Sequence, residues 1–150
     1  MNYERFLKNN LVRKVKPDFK QIATQIKRAK RDLRTAESVI SSDRTWTFAI
    51  TYHAMMRVSK ALMYSKGYLP TAKRSHKTII EFTKIILGGE YDDLLRWFNR
   101  MRRRRHDFIY DAINDISERD AKSSIITAEK LIDEIVKEIV EANPQHDLFK

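Results

Sequence analysis

FKQIATQIKRAKRDLRTAESVI, residues 19–40, decides the fold. Its apolar residues Phe19, Ile22, Ile26, Ala29, Leu33, Ala36 and Ile40 recur in alternating steps of three and four. That spacing matches the helical period and puts them on one face of a long helix. Lys20, Lys27, Arg28, Lys30, Arg31 and Arg34 fall between them as a solvated basic face. Pro17 sits where a helix start tolerates it, with Asp18 in the first turn.

The same stripe returns near the other end of the chain. Ala121, Ile125, Ala128, Ile132, Ile135 and Ile139 predict a helix over about 118–142. Ser117 with Asp120 resembles a capping arrangement at its start, and Asn143-Pro144 stops it. Asp43, as an N-cap, opens a helix over about 44–66 that is apolar on a broad front: Trp46, Ala49, Ile50, Tyr52, Ala54, Met55, Met56, Val58, Ala61 and Leu62. A helix of that kind belongs at the centre of a bundle. Gly67 ends it, and residues 68–75, which include Pro70, read as a loop. Ser75 is expected to cap a helix over about 76–87 that Gly88-Gly89 breaks, and a further helix is expected over about 91–113. No segment alternates with period two. The expected fold is all-α, an antiparallel up-and-down bundle of four to five helices. It forms a single domain over 1–150, with the core at about 18–141, a basic N-terminal arm or frayed helix over 1–16, and a flexible tail over 143–150.

Composition agrees. The chain has 150 residues, 42% hydrophobic and 33% charged, with only 3 Gly and 3 Pro, too few for a turn-rich β protein. It has no cysteine, so disulfides and thiolate metal sites are excluded. No apolar run approaches the roughly 20 residues of a membrane span, and no signal-peptide stretch opens the chain. The expectation is a soluble, cytoplasmic protein with no membrane partner. Its net charge of +10 attracts polyanions such as RNA.

Several chemistries lack their residues. The glycines form no phosphate loop, and no two of His53, His76, His106 and His146 are four apart on one helix, so neither a cofactor nor a metal is expected. One segment stands out: Arg96, Arg100, Arg102, Arg103, Arg104 and Arg105, followed by His106, Asp107 and Tyr110. On a helix Arg96, Arg100, Arg103 and either Asp107 or His106 are expected to share a side, and Arg102 and Arg105 line the neighbouring one with Asn99 and His106. Like charges at such spacing repel, so helix stability alone does not account for them. They suggest an anionic partner, phosphate or carboxylate. A merely solvated face, neutralised by nearby carboxylates, is the competing reading. His53, in the apolar helix, is expected to be structural. Tyr52, Met55 and Met56 are expected in the core, with Trp46 and Trp97 as packing anchors.

Three stretches carry a resemblance: Arg28-Ala29-Lys30-Arg31-Asp32-Leu33 with Ala36-Glu37, then Ala49, Tyr52-His53-Ala54-Met55, Ala61-Leu62 and Lys66-Gly67, then Arg100 to Arg105-His106-Asp107 with Tyr110. In that order and spacing, over about 18–141, the chain resembles a stand-alone prokaryotic HEPN domain. The resemblance implies a helical bundle that dimerises. It also implies a metal-independent, toxin-like endoribonuclease whose Arg is followed, after four to six residues, by His. Arg100, five intervening residues and His106 fit, and Tyr110 matches the aromatic that often follows. The catalytic set it implies is Arg100, His106, Asp107 and Tyr110. Arg96, Asn99, Arg102, Arg103, Arg104 and Arg105 would bind nucleic acid. The sharpest form of the motif has a polar residue after the Arg, where this chain has Met101; Arg102 is the other candidate for the functional Arg. The alternative implied function is a non-catalytic module that binds RNA or nucleotide, or docks a small nucleotidyltransferase-type antitoxin.

Overall fold

Asp18 shows how directly this sequence sets its helices. Its carboxylate accepts the backbone N–H groups of Lys20 at 3.1 Å and Gln21 at 3.2 Å, so it caps the helix rather than lying in its first turn. The computed structural model describes residues 3–111 and 115–146, the side chains of 108–111 excepted. A short α1 (Glu4–Lys8) and strand β1 (Val12–Lys14) precede α2 (Phe19–Val39). Then come α3 (Arg44–Ser65), β2 (Tyr68–Pro70), α4 (Ser75–Leu87), a 3-10 turn (Gly89–Tyr91), α5 (Asp92–Asp111) and α6 (Glu118–Ala142).

Two of the three expected caps are in place. Asp43 accepts the N–H of Trp46 at 2.9 Å, and Ser117 accepts that of Asp120 at 3.0 Å. α2 buries Ile22, Ile26, Ala29, Leu33 and Ala36, the predicted stripe. α3 lies at the centre, packed against α2, α4, α5 and α6. The Thr47 hydroxyl, fully buried, donates to the carbonyl of Ala36 at 3.1 Å and ties α3 to α2. The fold is the expected all-α bundle. No helix among the described residues is long and apolar enough to cross a membrane.

Four expectations need correction. The basic arm is not frayed: Phe6 is fully buried, and Tyr3 stacks on Phe82 with ring centroids 4.5 Å apart. The loop at 68–75 begins with a strand, β2, which pairs antiparallel with β1, Val12 opposite Pro70 and Lys14 opposite Tyr68. Strands of three residues are too short to show an alternation. Ser75 is the first residue of α4, not its cap; Arg74 takes that place in the left-handed region at φ 48°. The start of the tail is anchored, with the His146 ring stacked 3.9 Å from that of Phe19, while 147–150 lie outside the described residues. Trp46 also departs from expectation. It is 57% exposed, since the first turn of α3 projects at one end of the bundle.

Candidate functional site

α5 starts with Asp92 and Asp93, which suit the positive end of the helix dipole. Leu94, Leu95, Phe98 and Met101 then form its buried stripe. The arginines must leave by the remaining directions, and they divide. Arg96, Arg100 and Arg103 are exposed. Arg96 pairs with Asp93 at 3.2 Å, and the Arg100 guanidinium lies 4.7 Å from the centre of the Trp97 ring. Arg104, one turn after Arg100, reaches toward α6, where its Nη1 donates to Asp120 Oδ2 at 2.6 Å; its guanidinium also lies 5.8 Å from the Phe48 ring. Arg102 and Arg105 are half-buried and face α3 and α4. Arg102 Nε donates to Asn99 Oδ1 at 2.9 Å, and Arg105 lies 5.6 Å from the Tyr52 ring centre.

His106 is exposed and Asp107 half-buried, while the side chain of Tyr110 lies outside the described residues. Six helical steps separate Arg100 from His106, which sets them roughly 120° apart around the axis. Arg102 and His106, four steps apart, share a side with Asn99. The helix thus brings together Asn99, Arg102 and His106, and does not bring together Arg100 and His106.

A cleft of about 690 Å³ opens where α3, α4 and α5 meet the flank of α2, and its charged wall is Arg57, Lys60 and Arg105 with His53 and His76. On α3, His53, Arg57 and Lys60 follow steps of four and three, so they form one stripe. Arg57 is held from three sides: Nε on Asp32 at 3.2 Å, Nη1 on Gln25 at 2.8 Å and Nη2 on His53 Nε2 at 2.9 Å. A guanidinium only donates, so Nε2 of His53 accepts, and the proton of the neutral ring is on Nδ1. His53, expected as a buried structural residue, is therefore exposed and part of this network. Tyr52 is buried as expected, but its hydroxyl reaches the cleft and meets His76 Nδ1 at 2.9 Å.

Positive charge dominates here. Burial pushes the Tyr52 phenol well above its ordinary range, and the charges of Arg105 and Arg102 pull it part of the way back. Partial burial lowers His76, and Arg105, Arg102 and His53 act in the same direction. The sequence signal that points to this cleft is the polar stripe His53, Arg57 and Lys60 on an otherwise apolar helix. No local signal announces His76, whose partner is 24 residues away. Among the described residues no group of three or more His, Cys, Asp or Glu side chains is placed to hold a metal ion.

Comparison with curated proteins gives no match. Comparison with protein families gives one for the HEPN domain, over residues 23–139, which takes in most of α2, all of α3, α4 and α5, and nearly all of α6. With most of the chain matched and the all-α bundle in place, this protein belongs to the HEPN domain family.

Proposed function

We propose that this protein binds and cuts RNA without a metal, using the side of α5 that carries Asn99, Arg102 and His106. Membership of the HEPN family is consistent with an RNA-related role. The observation that carries the reading is the row Asn99, Arg102 and His106, with Arg102 fixed by its 2.9 Å bond to Asn99 and His106 exposed one turn on. RNA can cut itself when a 2′-hydroxyl attacks the neighbouring phosphorus. The hydroxyl proton passes to a base, the new P–O bond forms, and the 5′-oxygen leaves with a proton from an acid. His106, whose imidazole offers both a donor and an acceptor nitrogen, is suited to either proton transfer. Arg102, with Arg100 and Arg103, would hold the phosphate and offset the charge that develops on it. Asp107 and Tyr110 would orient the ring or the substrate. In a two-fold dimer the two α5 helices would supply both copies of the row to one cleft.

A second reading rests on a specific observation: Arg100 and His106 lie on different sides of α5, and Met101, directly after Arg100, is buried in the core. That favours a module that binds RNA or nucleotide, or docks a nucleotidyltransferase-type antitoxin, without cutting. Incubation with RNA in EDTA separates the two. The first reading expects cleavage that His106→Ala and Arg102→Ala abolish with helical content unchanged, and cleavage retained in both variants overturns it. Binding that falls steeply with salt, without cleavage, selects the second.

A further inference from the structure

The turn of α5 that carries Arg102 and His106 is held from behind. Arg104 lies between them in the chain, two residues from each. Two helical steps turn the backbone by about 200°, so the Arg104 side chain leaves the helix almost opposite to both. There it meets α6, where its Nη1 donates to Asp120 Oδ2 at 2.6 Å. The two side chains are 32% and 31% exposed, so water screens this pair less than the open pairs Arg96–Asp93 and Lys122–Glu118. Those two also tie a helix to itself, whereas Arg104 and Asp120 join α5 to α6. The resemblance groups Arg104 with the RNA-binding arginines; the structure commits it to Asp120.

Asp120 is itself fixed. It is the third residue of α6, its N–H donates to Ser117 Oγ at 3.0 Å, and its carbonyl accepts the Ser124 hydroxyl at 2.8 Å. In a capping box the carboxyl group at this position reaches back to the N–H of the cap residue. Here Asp120 Oδ2 is engaged by Arg104 instead. Asn99 fixes the Arg102 guanidinium within α5, and Asp120 fixes α5 itself.

We propose that Asp120 is a positioning residue: through Arg104 it sets the rotation of α5, and so the direction in which Arg102 and His106 face the RNA. The inference rests on the RNA-cutting reading. Asp120 touches neither phosphate nor transferred proton in that reaction. A helix with its side chains has a radius of about 5–6 Å, so a rotation of about 10° moves a side-chain end by about 1 Å. A displacement of that size can cost on the order of a hundredfold in rate.

RNA cleavage in EDTA is compared for the wild type, Asp120→Asn, Arg104→Gln and the double variant, at a temperature where all are folded. Each single variant should lose about tenfold or more in kcat, with KM within about threefold. The double variant should be no slower than the slower single one, because the two residues act as a unit. Lys122→Gln breaks the exposed pair with Glu118 on the same turn of α6 and should cut like the wild type. The NMR signals of the His106 ring, recorded without RNA, should move in Asp120→Asn and stay in Lys122→Gln. Full kcat in Asp120→Asn, additive losses in the double variant, or an equal loss in Lys122→Gln overturns the proposal. A wild type that cuts no RNA defeats the cutting reading, and the ring signals then decide alone: a moved His106 upholds the positioning role and an unmoved one overturns it. Should both neutral variants fail to fold, Asp120→Glu, which keeps the charge and lengthens the side chain, is read by the same ring signals.

Discussion

Tyr52 and His76 stand 24 residues apart in the chain and meet at 2.9 Å, phenol oxygen to Nδ1, where α3 passes the first turn of α4. Both are neutral near pH 7, because burial raises the phenol and partial burial lowers the imidazole. Two neutral groups thus form a hydrogen bond inside a ring of positive charge. The Tyr52 ring is also fixed from behind by Phe98 of α5, edge-on at 5.8 Å. One contact therefore joins α3, α4 and α5 at the floor of the cleft.

Tyr52→Phe removes that bond and keeps the ring. A neutral hydrogen bond contributes about 0.5–1.5 kcal/mol net, so a loss of about 1 kcal/mol in urea unfolding is expected. The packing with Phe98 is untouched, so the slope of the transition should not change. A variant as stable as the wild type would mean that the bond contributes nothing to folding.

Acid should weaken the fold through His76. Its imidazole is held below the ordinary 6.5 by partial burial and by Arg105, Arg102 and His53, with Tyr52 at its Nδ1. Below pH 6.5 the unfolded chain takes up this proton before the folded one does, so stability falls as pH falls. The contribution is complete above pH 6.5 and is lost by the folded-state midpoint. His76→Asn should flatten the pH dependence of unfolding in that window. The NMR titration of His76 should show a midpoint under 6.5; one at or above it refutes this account.

Phe6→Ala tests the arm. A frayed segment would lose nothing measurable. A fully buried phenyl ring against Phe82, 5.5 Å between centroids, should cost about 3–5 kcal/mol on truncation. Thermal unfolding of the two proteins at equal concentration gives the answer.

The contrast between Phe6 and Asp18 explains how far the sequence could be read. Asp18, Asp43 and Ser117 act on backbone groups two or three residues away, and the stripes of α2 and α6 repeat over many turns. Such signals are local; Asp43 and Ser117 were legible as caps, whereas Asp18 was expected in the first turn of α2 and stands just before it. Phe6 depends on Phe82, and β1 depends on β2 across 54 to 58 positions of chain, so neither has a local sign. The arginine run shows the same limit within one helix. Helical angle tells which arginines share a side, and so it grouped Asn99, Arg102, Arg105 and His106. It cannot tell that the side with Arg104 meets Asp120. His53, Arg57 and Lys60 recur at helical spacing, but the apolar length of α3 pointed to burial, and only the packed α2 and α4 show that they face a cleft.

Arg103 and Arg104 are neighbours in sequence and should behave as opposites. Arg104 is half-buried and bonded to Asp120 at 2.6 Å, across from α5 to α6. Arg104→Ala should cost about 1–2 kcal/mol of stability, because it strands the Asp120 carboxylate and loses the contact over Phe48. Arg103 is exposed, and Arg103→Ala should stay within about 0.5 kcal/mol of the wild type. On RNA the order reverses. A cation already neutralised by a carboxylate releases few counterions from the backbone, whereas an open one that contacts a phosphate adds about one unit to the slope of log affinity against log salt. Arg103→Ala should therefore flatten that slope by about one, and Arg104→Ala should leave it alone at temperatures where both variants are folded. If Arg104 carries the salt dependence instead, its bond to Asp120 yields to RNA, and the division of α5 into a structural side and a binding side does not hold.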